Sequence, residues 1–390
     1  MILRGVEKNG AGAGKQQGTF GPAASFYIYT KKGDTMKMIR GLNGIFVGLM
    51  VLFLVCPVTG KQVARLEEPL RVDMMTADSQ FLYVLDDFKV HKYRLENFQY
   101  VGGFGKKGKG PGEFSPNFLN RLILQLDGEK VVLNQWNKIA WFSRDGRLLK
   151  EKVIPFLSAQ VVPLGRNYVL TKYIRGKNGI NQLAVQICDP DFKTLKTLYA
   201  REDIVPARSG KLDCPNEQIF IVKTDKNIYT YDQRPGTMVY LYDYQGNRLK
   251  SIKLQLKPIK MPQRFKDDVL GWMEGNTARI RSFSQMARLT IEQIRQMVYY
   301  HEKLPVARNF TVQKGEIFIE TYQKRGNKSR FVFLNQAGQA KRDLYLIDAE
   351  PGRVKMSPHT TYCVANNKYY YLKENLDEEI WELHVESLVN

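Results

Sequence analysis

Histidine and cysteine are scarce in this chain, with four of each in 390 residues. His91, His301, His359 and His384 fall in separate segments, and none has a second ligand at metal-site spacing, which excludes the common zinc motifs. Cys56, Cys188, Cys214 and Cys363 contain no CxxC pair, so a dense disulfide framework is excluded too; a single disulfide with one leftover thiol stays compatible with an oxidising compartment. Nothing in the sequence places a serine, a histidine and an aspartate together as a triad. Acidic residues are also in short supply, 39 against 59 Lys and Arg, for a net charge of +20. Such a surface favours anionic partners. Long apolar runs are missing as well. Ile45–Cys56, interrupted by Gly48, is too short to cross a ~30 Å hydrocarbon core comfortably.

That short run has informative flanks. Lys37 and Arg40 precede it and Pro57-Val58-Thr59-Gly60 follows, the pattern of a secretory signal peptide over residues 36–60. The other reading is an uncleaved anchor extending back to Gly41. Phe53-Leu54-Val55 lack the small residue usual before an acylated cysteine, so Cys56 reads as part of the signal core rather than as a lipid attachment site. Residues 1–35 are Gly- and Gln-rich without periodicity, and Met36 is placed where a signal peptide would start. They are expected to be a disordered upstream extension. Gly10-Ala11-Gly12-Ala13-Gly14-Lys15 lacks both the Ser/Thr after lysine and a preceding strand, so it is not a phosphate loop. The leader carries +5, leaving +15 on residues 61–390. The expected localisation is exported, in the periplasm or cell envelope. Membrane contact would come only through the N-terminal anchor or a lipid, and export leaves nucleic acid the least fitting anionic partner.

Beyond the leader, a short apolar phrase recurs six times. It reads Leu82–Leu85, Val131–Leu133, Tyr168–Leu170, Ile219–Ile221, Ile317–Ile319 and Tyr369–Leu372. Intervals between equivalent positions run from 37 to 53 residues, except for 98 between Ile221 and Ile319. The second unit shows what accompanies each phrase: Arg121–Leu126 alternates, Asp127-Gly128 turns, Lys130–Leu133 returns, Lys138–Phe142 follows a loop, and Arg144-Asp145-Gly146 turns into Arg147–Ile154. Asp-Gly between apolar runs marks a hairpin, because the turn requires positive φ angles. Four antiparallel strands at roughly 40–50 residue spacing make a propeller blade. The expected fold is therefore all-β: a six-bladed β-propeller over 61–390, with a helical insertion at about 257–308 between blades four and five. The last unit has only three strands, and Val63–Leu66 can supply its fourth and close the ring. Within the insertion, Thr290 and Gln293 form a capping-box pattern. Ile291, Ile294 and Val298 continue it as a helix to about His301, with a shorter helix around Phe265, Val269 and Trp272 before it.

The segment Phe104-Gly105-Lys106-Lys107-Gly108-Lys109-Gly110-Pro111-Gly112-Glu113-Phe114, followed by Asn137–Arg147, resembles the repeat of NHL-type six-bladed propellers, and most of all the exported bacterial TolB-like branch. The sharp match covers one blade junction. The resemblance implies the propeller fold and, often, ligand or protein binding; it does not imply one activity.

Strand parity then sorts the loops. Loops between second and third strands share a face with the connections between blades, and the tight hairpin turns lie opposite. On the first face Arg175, Lys223, Arg234, Lys324 and Arg325, with Lys172, Lys177, Lys226, Lys328 and Arg330, predict a basic mouth studded with Trp136, Tyr173, Tyr229, Tyr231 and Tyr322. The alternative is that these charged loops are simply solvated. The insertion would overhang this mouth as a lid, or else clamp strand ends or contact a second copy. Propeller lyases and lactonases gather His, Asp, Asn or Glu at the central channel. On that analogy Asp86, Asn134 and Glu320 could hold a divalent cation through oxygen ligands, or could serve only to satisfy loop backbone. The function expected is an exported, non-catalytic binding module for an anionic glycan, headgroup or protein partner. A metal-dependent hydrolase or lyase at the channel mouth and an envelope-assembly scaffold are the alternatives.

Overall fold

The computed structural model describes residues 60–115, 122–135, 137–156, 160–176, 181–202, 212–215, 218–234, 236–275, 284–285, 288–349 and 360–388. Six four-stranded antiparallel sheets make up the ring. Blade one is Val72–Ala77, Phe81–Asp86, Lys89–Arg94 and Tyr100–Phe104, and blade two is Ile123–Asp127, Lys130–Gln135, Lys138–Ser143 and Leu148–Val153. Blade three is Val161–Leu164, Asn167–Arg175, Asn181–Cys188 and Thr194–Glu202, and blade four is Ile219–Lys223, Ile228–Asp232, Met238–Tyr242 and Arg248–Lys253. Blade five is Ala307–Gln313, Glu316–Arg325, Lys328–Leu334 and Ala340–Ile347, and blade six is Tyr362–Ala365, Lys368–Asn375 and Ile380–Ser387. The expected closure is present. Lys61–Leu66 pairs antiparallel with Ile380–Ser387, Arg65 opposite Glu382, as the outer strand of blade six.

The apolar phrases follow from how the blades pack. Each of the six interfaces between neighbouring blades holds its own buried cluster. A second strand is covered on both faces, so residues of both parities must be apolar. In blade two Val131 and Leu133 pack toward blade one, while Val132 packs toward blade three. Burial of this kind contributes roughly 25 cal/mol for each Å² of apolar surface removed from water, and it recurs all round the ring. Outer strands have one exposed edge and read as mixed and polar, as in Leu148–Val153 and Arg248–Lys253.

Blade four departs from the expected register. Ile219–Ile221 lies in its first strand, not its second. The true second strand, Ile228–Asp232, is buried throughout, but Thr230 interrupts its apolar run. The Gly-rich crossing between blades one and two behaves as its glycines suggest. Gly105 has φ +78°, and a Cβ there would meet the Phe88 carbonyl oxygen at 2.7 Å. Phe114 is fully buried in the cluster beyond.

The insertion occupies the connection between Lys253 and Ala307. Its stem is zipped: Met261 N–H donates to Glu302 O and Leu304 N–H to Ile259 O. Helices α1 (Gln263–Gly275) and α2 (Ile291–Met297) pack Val269, Met273 and Ile294 around Cys214, in a cluster separate from the blade cores. Thr290 caps α2 with both reciprocal bonds of the capping box. The sequence reading ran α2 on to His301, but Val298–Tyr300 instead pairs in parallel with Leu212–Cys214 from the connection between blades three and four. α1 is the longer helix, not the shorter.

Three described cysteines, Cys188, Cys214 and Cys363, are free thiols. No described helix is long and apolar enough to cross a membrane. The expectations for residues 1–35, for the apolar run Ile45–Cys56, for Trp136, for Lys177 and for His359 lie outside the described residues.

Candidate functional site

Two irregularities in blade five create the site. Register shifts between Ala307 and Asn309 in the first-to-second strand ladder, leaving out Arg308. It shifts again between Glu320 and Lys324 in the second-to-third strand ladder, where residues 321–323 are unpaired although Thr321 still pairs with Ala307. Such bulges re-aim side chains next to functional surfaces. Arg308 turns inward, where its Nη1 donates to Glu320 Oε1 and to Asp348 Oδ1, each at 2.9 Å. Lys324 Nζ pairs with Asp348 Oδ2 at 2.7 Å, Tyr362 Oη donates to Glu320 Oε2 at 2.6 Å, and Asn309 Nδ2 donates to Tyr362 Oη at 2.8 Å. Burial alone would raise the Asp348 pKa, but Arg308 and Lys324 outweigh it and hold the carboxyl well below the usual carboxylate range. Burial and the adjoining Glu320 push the Tyr362 hydroxyl far above its ordinary value, so it stays a donor.

Above this network, on the face of the second-to-third strand loops, lies a cleft of about 500 Å³ between α1 and blade five. The insertion contributes Ile259, Pro262, Arg264, Phe265, Asp268 and Leu304; blade five contributes Arg308, Tyr322, Gln323, Lys324, Arg325 and Tyr345. The Phe265 and Tyr322 rings meet edge to face at 5.9 Å. The Arg325 guanidinium lies 4.1 Å over Tyr345. A second chamber of about 400 Å³ shares Gln323, Arg325 and Tyr345 with the first and adds Arg330 and Asp343. Arg330 is already committed, donating Nε to Asp343 Oδ1 at 2.9 Å and Nη1 to Gln323 Oε1 at 2.8 Å. Among the described residues Arg264 and Arg325 are in no ion pair, and both are exposed.

Of the residues singled out from sequence, Lys324, Arg325 and Tyr322 are brought together here. Others are dispersed. Arg234 belongs to the loop face, but its Nη1 donates to Glu202 O at 3.1 Å and ties blade four to blade three. Tyr173 and Arg175 lie exposed on the second strand of blade three. Lys223 is a correction. It ends a first strand, which puts it on the opposite face with Lys226, and it pairs with Asp127 at a first-strand end of blade two. Tyr229 and Tyr231 are likewise no part of a mouth, being buried between blades four and five.

The three residues proposed as oxygen ligands are engaged separately. Asp86 accepts the N–H groups of Leu70 and Arg71 at 2.9 and 3.0 Å, with His91 Nε2 at 3.6 Å. Asn134 Oδ1 accepts Val161 N–H at 3.0 Å, and its Nδ2 donates to Gln135 O, tying blade two to blade three. Glu320 serves Arg308 and Tyr362. The structure does not bring them together, and the described residues hold no group of three or more His, Cys, Asp or Glu placed to bind a metal ion. Gln233 does the same seam work, donating Nε2 to Ala307 O at 2.6 Å.

Arg264, Phe265, Asp268 and Tyr345 escape sequence reasoning. Arg264, Phe265 and Asp268 lie well before the blade-five loop along the chain, and only the folded insertion sets them opposite Arg325. Tyr345 comes beside Arg325 from the outer strand of blade five.

The chain matches no protein-family model, and no curated protein matches it. Its architecture is similar to solved structures of low identity. A DUF4221-family protein of Bacteroides vulgatus is 10% identical, over 84% of this chain and 98% of that one, with a TM-score of 0.47. A Bacteroides fragilis protein assigned to export is 12% identical, over 84% and 93%, with a TM-score of 0.46. BamB of Moraxella catarrhalis is 10% identical, over 81% and 83%, with a TM-score of 0.33. With TM-scores below 0.5 the likeness does not reach to ligand or mechanism. The six-bladed ring is shown, whereas the resemblance to NHL-type repeats rests on the junction motif of blades one and two alone.

Proposed function

We propose that this chain is an exported, non-catalytic binding module that holds an anionic ligand in the cleft between α1 and blade five. The observation that carries this reading is the pairing of two exposed guanidinium groups, Arg264 and Arg325, across a cleft walled by Phe265, Tyr322 and Tyr345. Neither guanidinium is in an ion pair among the described residues, so each keeps its fork of donors for a ligand oxygen. Aromatic walls with a few placed polar groups are the usual composition of a ligand site. The buried carboxylates beneath the cleft, Glu320 and Asp348, are bonded to Arg308, Lys324 and Tyr362, which suits holding a shape better than moving a proton. Lys37 and Arg40 before Ile45–Cys56 support export.

Substituting Arg325→Ala tests the reading. A hydrogen bond to a charged group contributes about 1.5–3 kcal/mol, so anion affinity should fall at least about tenfold. The melting temperature should not move, because the side chain is exposed. Unchanged affinity, read by titration calorimetry with an anionic ligand, would place the site elsewhere.

A further inference from the structure

Resting on that reading, we infer that the ligand is an oligosaccharide of carboxylated sugars, an oligouronate, lying along both chambers. The chambers lie next to each other, with Gln323, Arg325 and Tyr345 lining both, and together they reach from α1 to the outer strand of blade five. Two adjacent chambers suit a chain of rings better than one compact ion.

The charges in the walls narrow the chemistry. Lys324 and Arg308 are neutralised by Asp348 and Glu320, and Arg330 by Asp343. Among the described residues two cations, Arg264 and Arg325, remain without a carboxylate, one on each wall. Asp268 and Asp343 also line the space. A densely charged phosphate ligand would meet Asp268 as a like charge, Asp343 being already paired with Arg330. A sugar hydroxyl would instead donate to them, and Gln323 can both donate and accept. Spaced single carboxylates match spaced arginine forks. The aromatic faces are negative and attract the polarised C–H face of a pyranose ring, although one face of Tyr345 is already taken by the Arg325 guanidinium at 4.1 Å. Hydroxyl-rich, singly charged per ring and extended, the ligand that satisfies all of these conditions is an oligouronate.

The test titrates the full chain with tetrasaccharides of galacturonate, mannuronate and glucuronate-containing type, with neutral tetrasaccharides of the same length, and with inorganic phosphate. At least one uronate oligomer should bind tenfold or more tighter than its neutral counterpart, and tighter than its monosaccharide. Arg325→Gln and Asp268→Asn should each weaken it about tenfold, whereas Lys250→Ala on the outer strand of blade four should not. Circular dichroism reports whether each variant folds, and the exposed Arg264→Gln gives an independent readout on the opposite wall. If phosphate binds in an Arg325-dependent way while no uronate oligomer does, the sugar inference falls and the anion site stands. Equal binding of neutral and charged oligomers overturns the role given to the carboxylate. If no probe binds, both readings fail.

Discussion

Arg308 is the residue on which the inner wall of the cleft depends. It is 6% exposed, and its guanidinium answers two carboxylates that are themselves buried. Removing one partner of such a set leaves a charge in a medium that solvates it poorly, a loss of about 3–5 kcal/mol. Asp348→Asn should destabilise the protein by that amount in urea unfolding at neutral pH. The acid limb should respond as well. Because the folded Asp348 pKa lies below its unfolded value, its contribution is present above about pH 4, the unfolded value, and is lost as pH falls through the folded one. The difference between wild type and Asp348→Asn should therefore shrink as pH drops below about 4, and a gap that stays constant down to pH 2 would show that the carboxylate charge is not what stabilises the network.

At the scale of elements, the insertion is a wall with its own small core rather than a free flap. Its zipped stem, the pairing of Val298–Tyr300 with Leu212–Cys214, and the contact of Arg295 with Glu274 at 3.2 Å between α2 and α1 all hold its shape. α2 is so short that its capping box supplies much of its local stability. Thr290→Ala should cost about 1 kcal/mol, seen as faster amide exchange in α2. The blade cores are separate clusters, so the main melting transition should stay where it is. A downward shift of that transition would mean that the insertion and the ring unfold as one unit. The capping box was legible in sequence because its partners are three residues apart. The end of α2 was not, because the competing strand partner lies more than eighty residues upstream.

The whole molecule is stabilised by being closed. Lys61–Leu66 covers the last unpaired edge, with Leu66 fully buried in the cluster between blades six and one. A chain beginning after Leu66 should lose its single cooperative unfolding step and self-associate through the bare edge of Ile380–Ser387, as sedimentation velocity would report. A truncated chain that stays monomeric with an unchanged melting temperature would deny the closing strand its role.

Much of this architecture was readable from residue order. Blade strands are local, their turns carry glycine at fixed places, and a strand covered on both faces is apolar at most positions. Hence the six units, the closure and the place of the insertion were determined by sequence alone. The face on which a side chain lies was not. One misassigned strand in blade four, where Thr230 hides a buried strand, was enough to move Lys223 to the wrong side of the ring. The cleft is likewise a product of tertiary structure: its two cations that are in no ion pair among the described residues stand 61 positions apart, Arg264 on a helix and Arg325 on a hairpin. No local pattern marks them, because what joins them is the packing of the insertion over a bulged strand.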